Sequence, residues 1–471
     1  MENRVKIVCF SINPIFPDRI TGGASKHLMR LVSYLADQGH QVVLLAAEAL
    51  GGQEVFSLGE RILVKPVLPF HLPFPQPYLV SPADLALICE LTADELRGAD
   101  RFYIHDGELL LPFLYSAVPT ISSFRDNFYP ESILGSFITQ ADAIIAVSRF
   151  SAETLQASAG RVLPGIASRI HTVLNGMDPE IFHPADPSPI LERFGLHPSN
   201  QRVLLHPHRP EPGKGLLETI QVVDLLRNQY GYDTLRVLVP QWLEQMNGQA
   251  ESSFHAQITA ELTRRGLTEN FIFHPWISQA EMAEYYSAGE LTFCLGNMAE
   301  AFGNVAYESL VCGTPSLAAR VGVHRSQLPD DLLSKVDYGD AQAAAAEADK
   351  LLQARTRVSG ERLSRIRETF SLDRQLEAYA KIICETEKLP LPESKPFHAD
   401  DNSAYTLAPW CYASPKDIYH DYHSRYYELP GLQQLVESAE IITPQLRQRF
   451  GVPAPLVLEW YKLGLLVPVR D

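Results

Sequence analysis

The 471-residue sequence predicts an α/β protein made of two Rossmann-like domains facing across a cleft, followed by a small, mainly helical C-terminal module. Three observations carry this expectation. Short β-branched apolar runs alternate with segments of helical spacing over residues 1–185. The same rhythm restarts after a break and continues to about 387, and beyond 388 it stops. The length agrees, because a chain of this size outgrows a single hydrophobic core.

The elements follow in order. VKIVCFSI (5–12) reads as a buried strand. It leads through a Gly-bearing loop into SKHLMRLVSYLADQGH (25–40), where Leu28, Val32 and Leu35 share a helical face and Gly39 stands at the C-cap position. HQVVLLAA (40–47) closes a βαβ unit, and RFYIHD, VPTISSF, ADAIIAVS and IHTVLN continue the strand series to residue 175. From 176 to 201 the composition turns to Pro, Asp and Ser, as in an interdomain connection. RVLLHPH, LLETIQVVDLLRN, LRVLVP, NFIFHPW, ELTFCL, NVAYESLVC and TPSLAAR form the second series, which ends in RQLEAYAKIICETEK at 388. Two such sheets direct their carboxyl ends toward one cleft, where ligands of this architecture bind. The domains are therefore expected at 1–185, 186–387 and 388–471.

Composition narrows the function. A formal net charge of -16 repels phosphate backbones and anionic headgroups, which argues against nucleic acid and leaves at most peripheral membrane contact. The six cysteines are scattered without CxxC or metal-ligand spacing, as expected of reduced thiols in the cytoplasm. The N-terminus enters a strand without a signal-peptide cleavage pattern, and no apolar run reaches the length of a membrane span.

Two stretches carry the chemistry. In LHPHRPEPGKGLLETI a strand ends, Arg209 and Lys214 follow in a Pro/Gly loop, and a helix begins near Gly215. A helix start offers unpaired N–H groups and a positive dipole end, so two adjacent cations make it a receptor for a diphosphate. A solvated surface turn is the plainer alternative. In AEAFGNVAYESLVCGTP a loop carries Glu300, and a helix runs from about Asn304 to Cys312. Gly303 permits close approach of a ligand, and the N–H groups of Asn304 and Val305 are left to bind it. Glu300 and Glu308 are acceptor-only groups suited to hydroxyls, including the vicinal diol of a ribose. Carboxylates on either side of an anion-binding helix start fit a molecule with hydroxyl-rich ends and a phosphate middle, which is the shape of a nucleotide sugar.

These residues resemble a known family. Glu300 to Glu308 match the Glu-seven-residues-Glu motif of the retaining family 4 glycosyltransferases, and EAFGNVAYESLVCGTP resembles that family's signature throughout. HRPEPGKG is similar to its diphosphate loop, GGASKHL to its first Gly-rich loop, and AIIAVSRFS and VLNGMDPEIFHP to its domain-junction motifs. The resemblance spans about residues 5–385. It implies a GT-B fold and transfer of a hexosyl group from a nucleoside-diphosphate sugar with retention of configuration. It implies no cofactor and no metal, and the chain contains no Asp-x-Asp pair. It also implies that Glu308 holds the ribose, that Glu300 lies by the reacting carbon, and that Phe302, Gly303, Asn304 and Val305 line the donor. Arg209 and Lys214 would then stabilise the departing diphosphate, Gly22 and Gly23 would close over it, and His105 would face the acceptor. For His105, capping of a strand end is an equal alternative. Where the family usually carries His, this chain has Arg125 followed by Asp126. Arg125 either pairs with Asp126 as structure or adds a permanent cation near the donor or an anionic acceptor.

The acceptor itself, whether sugar, small molecule or lipid-linked, is not specified. The apolar, Pro-rich segment from 64 to 89 either lines an acceptor pocket or packs over the sheet edge. The region 401–471 lies beyond the resemblance. It is dense in Tyr and carries two helical segments meeting at Gly451 before LGLLVP, an arrangement like a winged helix. Eight acidic against six basic residues make a poor footprint for DNA, so packing on the catalytic body, self-association into a homo-oligomer, or partner docking is expected instead. The alternative to an enzyme is a non-catalytic nucleotide-sugar-binding protein that acts through this module. A glycoside hydrolase using Glu300 and Glu308 leaves Arg209 and Lys214 unexplained. A dinucleotide site lacks GxGxxG in the first βαβ loop.

Overall fold

The computed structural model describes residues 4–17, 23–48, 52, 54–70, 79–105, 109–242, 252–415 and 417–469. The chain forms two compact units, Met1–Asn175 with Asp373–Pro409 and Ser438–Asp471, and Gly176–Leu372 with Trp410–Glu437.

The first unit is built on strands β1 (Lys6–Ser11), β2 (Gln41–Ala47), β3 (Phe56–Leu58), β4 (Ile62–Leu68), β5 (Arg101–His105), β6 (Thr120–Phe124), β7 (Ala143–Ala146) and β8 (Ile170–Thr172). Their order is β3-β4-β2-β1-β5-β6-β7-β8. All neighbours are parallel except β3, which runs antiparallel to β4. β1 is central, and its Ile7, Val8, Cys9 and Phe10 are fully buried, as strands covered by helices on both faces require. The helix Gly23–Asp37 presses Leu28, Leu31, Val32 and Leu35 against this sheet. The β3–β4 hairpin was not among the expected strands. β3 pairs only with Ile62–Val64, so the missing N–H of Pro66 in β4 costs no hydrogen bond on that side.

The second unit carries β9 (Arg202–Leu205), β10 (Leu235–Pro240), β11 (Phe271–His274), β12 (Leu291–Cys294), β13 (Ser316–Ala319) and β14 (Ser334–Val336). They lie in the order β11-β10-β9-β12-β13-β14 and are all parallel. This is the doubly wound Rossmann order, in which the strand sequence reverses direction between β9 and β12. The unit's core is mainly aliphatic, with Leu204, Ile220, Val223, Val237 and Leu317 packed together with Phe293.

The boundaries differ from those expected at 185 and 387. The first crossing lies at 175/176 because Met177 N–H donates to the Phe370 carbonyl at 2.9 Å, so the outgoing and returning segments run side by side. From Asp373 onward the helix Leu372–Glu385 belongs to the first unit. The tail contains helices Pro430–Ser438, Pro444–Arg449 and Ala454–Lys462, but it is not one module. β15 (Tyr405–Leu407) pairs antiparallel with β19 (Leu466–Pro468) in the first unit, and the two later helices lie with them. β16 (Cys411–Ala413), β17 (Ile418–His420) and β18 (Arg425–Tyr427) form an antiparallel meander in the second unit. Among the described residues no helix is long and apolar enough to cross a membrane.

Candidate functional site

At the point where the second sheet reverses strand order, the loops after β9 and β12 are interlocked. Met298 N–H donates to the Gly213 carbonyl at 3.1 Å. A Cβ at Gly215 would sit 2.4 Å from the Gly296 nitrogen, and one at Gly296 would sit 2.2 Å from the Gly213 oxygen, so backbone touches backbone and no side chain fits. Each loop ends at a left-handed glycine that starts a helix without a side-chain cap: Gly215 (φ 90°) before Leu216–Tyr230 and Gly303 (φ 76°) before Asn304–Val311. Helix starts of this kind keep their first N–H groups for a ligand.

The interlock brings two expected residues together across 86 positions: Lys214 Nζ donates to Glu300 Oε1 at 2.6 Å. Burial alone would raise the Glu300 carboxyl. The Lys214 ammonium foremost, with His208 and His324, outweighs it and draws the group down to about 2. Glu300 is therefore ionised at any physiological pH. Burial lowers His208 to about 4, Glu300 opposing, and it lowers His324 as well, so both rings are neutral. The His324 ring fills the space over Gly303, where a Cβ would come within 2.3 Å of its Cε1.

The remaining expected donor residues divide. Glu308, half-buried, accepts a hydrogen bond from the Tyr286 hydroxyl at 2.8 Å. Asn304 and Val305 open their helix half-exposed. Phe302 is a core residue, 4% exposed and packed edge-on against Tyr307 and Phe370 at 5.1 and 5.5 Å, so its ring is not available to a ligand. Arg209 is exposed and pairs through Nε with Glu211 at 3.3 Å rather than with Glu300. Gly22 lies outside the described residues, while Gly23 is exposed at the first position of its helix. His208, His324 and Tyr286 were missed by sequence reasoning. His208 stood inside the quoted loop, but His324 and Tyr286 belong to no local pattern.

The first unit has its own cluster at the corresponding strand ends. His105 Nε2 donates to the Ala24 carbonyl at 3.0 Å, and Nδ1 accepts from the Tyr103 hydroxyl at 2.7 Å, so both ring nitrogens are committed. His27 stacks on it, with centroids 5.3 Å apart and planes 12° from parallel. Burial foremost, with Arg125 adding to it, holds both imidazoles well below their ordinary value. Arg125 does not pair with Asp126. It donates to His27 Nδ1 (3.2 Å), Asn175 Oδ1 (3.1 Å) and the Tyr379 hydroxyl (3.4 Å). The Asp126 carboxylate is instead taken by the Phe128 and Tyr129 amides, both at 2.9 Å, and by the Ser132 hydroxyl at 2.6 Å, which ties down the start of the helix Pro130–Ile138.

The chain is similar to known proteins. A family model described as Glycosyltransferase Family 4 matches residues 21–181, and one described as Glycosyl transferases group 1 matches residues 189–369. The chain is 32% identical over 326 residues to D-inositol 3-phosphate glycosyltransferase 1 of Catenulispora acidiphila, covering 64% of this chain and 75% of that protein. Against the D-inositol 3-phosphate glycosyltransferase of Xylanimonas cellulosilytica the match is 29% over 201 residues, 41% of this chain and 44% of the relative. Among solved structures, a glycosyltransferase from Rickettsia africae superposes with TM-score 0.63 at 16% identity, covering 82% of this chain and 100% of the other. Anabaena HepE in complex with UDP and glucose superposes with TM-score 0.61 at 18% identity, covering 80% and 99%. Two parallel Rossmann-like sheets with these superpositions give the chain the GT-B fold, and the family matches make it a glycosyltransferase. More narrowly, the chain belongs to glycosyltransferase family 4.

Proposed function

We propose that the protein is a retaining, metal-independent hexosyltransferase of the cytoplasm that moves a sugar from a nucleoside-diphosphate sugar to a hydroxyl acceptor. The Lys214–Glu300 pair, set between two glycine-capped helix starts, carries this reading. A diphosphate arriving at the N–H groups of Asn304 and Val305 would take over the Lys214 ammonium, and Arg209, itself exposed, would turn from Glu211 to add a second cation. Glu300, released from Lys214 and already ionised, would then accept hydrogen bonds from the hexose hydroxyls. Glu308, held by Tyr286, would accept from the ribose diol. The two cations act where negative charge gathers as the glycosyl bond breaks, which is where electrostatic stabilisation speeds the reaction.

UDP-glucose is the first donor to test, because HepE has been crystallised in complex with it. The Catenulispora relative is named for D-inositol 3-phosphate, so a phosphorylated polyol is the first acceptor to test. Arg125 supplies a cation on the side of the molecule that would receive it, while His105 orders that wall through its stack with His27. The test combines purified protein, UDP-glucose, and myo-inositol with its phosphates. Product formation with the α-anomer retained supports the reading. Glu300→Ala should abolish transfer and leave UDP binding intact, whereas Glu308→Ala should weaken UDP binding. Equal activity of both variants and the parent would overturn it.

A further inference from the structure

The meander β16–β18 lies outside the residues matched by either family model, yet it reaches the backbone that supports Glu300. After β13 the chain makes a short 3-10 turn, Gly322–Arg325. On one side this turn rests on the Glu300 peptide. Val323 N–H donates to the Glu300 carbonyl at 3.2 Å, and a Cβ at Gly322 would meet that same oxygen at 3.0 Å and the Glu300 nitrogen at 3.1 Å. The turn also carries His324, whose ring lies over Gly303. Its other side is held by Asp421, the residue immediately after β17. The Asp421 carboxylate accepts from Gly322 N–H at 3.2 Å and pairs with the Arg325 guanidinium, and its side chain is wholly buried. Asp421 is itself fixed, its amide donating to the Trp410 carbonyl at 2.9 Å. Tyr419 of β17 is clustered with Ala319 and Val321 at the entrance to the turn, and the Tyr426 hydroxyl donates to the Tyr338 carbonyl at 2.8 Å.

We propose that Asp421 is a positioning residue for the donor site: the C-terminal meander clamps Gly322–Arg325 and thereby sets the place of Glu300 and of the helix start at Gly303. Removing a buried carboxylate that joins a backbone amide to an arginine is costly to the turn, because it leaves the arginine charge and the amide unsatisfied. A catalytic carboxylate displaced by an ångström loses much of its effect. Arg325 from the turn, Cys411 from β16 and Tyr419 from β17 are the ionisable groups that face Asp421, and burial foremost keeps the thiol and the phenol neutral. Burial also pushes the Asp421 carboxyl up to about 6, against the pull of Arg325. The clamp is therefore charged above that pH and weakens as pH falls through it.

The positioning itself is measured by hydrogen exchange on the ligand-free, full-length chain, so the outcome does not depend on the donor assignment above. With Asp421→Ala, exchange across residues 296–311 should accelerate about tenfold while other segments of the second unit keep their protection. Asp421→Asn preserves volume and one acceptor for Gly322, and it guards against a variant that fails to fold. With the intrinsic pH dependence of amide exchange divided out, its protection in this segment should be independent of pH from 5 to 8, whereas in the parent protection should fall as pH falls through about 6. UDP-glucose titration supplies the second readout, with affinity expected to fall about tenfold in Asp421→Ala. Lack of UDP-glucose binding by the parent would count against the proposed function alone. Parent-like exchange over 296–311 in a folded Asp421→Ala protein, or the same pH profile for the parent and Asp421→Asn, would overturn the clamp. A lower melting temperature with no change confined to 296–311 would also overturn it, because it would reduce Asp421 to general stability.

Discussion

The two sheets share one winding order, yet their strand-order reversal points differ in chemistry. In the second unit an ionised Glu300 and the Lys214 ammonium face each other beside helix starts with no side-chain cap. In the first unit a stacked pair of histidines is kept neutral by burial, and the one cation of that network, Arg125, is spread over three neutral partners. The contrast shows that topology fixes where a ligand is met, while the residues on the first turn of each loop decide what it must be. Under the proposed function the charge-rich mouth would meet the leaving group, and the quiet one the molecule that receives the sugar.

The strongest way to break the comparison is Glu300→Ala. It should lower kcat by at least 10² to 10³, the order found when a group facing developing charge is removed, as read by product formation under donor saturation. Next is Gly215→Ala, which drives a Cβ into the Gly296 nitrogen at an unfavourable φ. It should cost about 2 kcal/mol or more of stability and lower donor affinity, as measured by chemical denaturation and UDP titration. Arg125→His restores the ring usual in the family and sharpens the contrast from the other side. It should raise KM for a phosphorylated acceptor several-fold with little change for a neutral one. Parent turnover with every acceptor tested would reduce Arg125 to a structural tie. The smallest effects are those of pH on stability. The Glu300 carboxyl lies below its ordinary value in the fold, so its contribution is complete above about 4.5 and is lost as pH falls toward about 2. His27 and His105 are held neutral, so the first unit should lose stability earlier, as pH falls below about 6.5 where the unfolded rings take up protons. Acid titration followed by unit-specific exchange separates the two windows.

Legibility in the sequence followed the reach of each signal. The βαβ rhythm is local, and the strands from RVLLHPH to TPSLAAR lie where their apolar runs placed them. Glu300 and Glu308 sit on one loop and the helix it starts, so their spacing was readable. The Lys214–Glu300 contact depends on β9 and β12 being neighbours, which strand order decides and no local pattern states. His208 and His324 are neutral rings buried beside Glu300, and a lone histidine in a sequence does not announce that. Phe302 looked like part of the site because it lies between Glu300 and Gly303, but an aromatic there was needed to pack on Tyr307 and Phe370. The Arg125–Asp126 expectation failed because a helix start close by claimed the carboxylate first. The tail was hardest to read. Its strands are three residues long, too short for alternation to show, and β15 finds its partner β19 some sixty residues on.

The backbone passes from one unit to the other at 175/176, 372/373, 409/410 and 437/438. Neither half is therefore a contiguous stretch of the gene. A single recombination joint could not exchange one unit for that of another protein while leaving the other whole. A transplant of the second unit would have to carry Gly176–Leu372 and Trp410–Glu437 together, so the inheritance of that unit is bound to the inheritance of part of the tail.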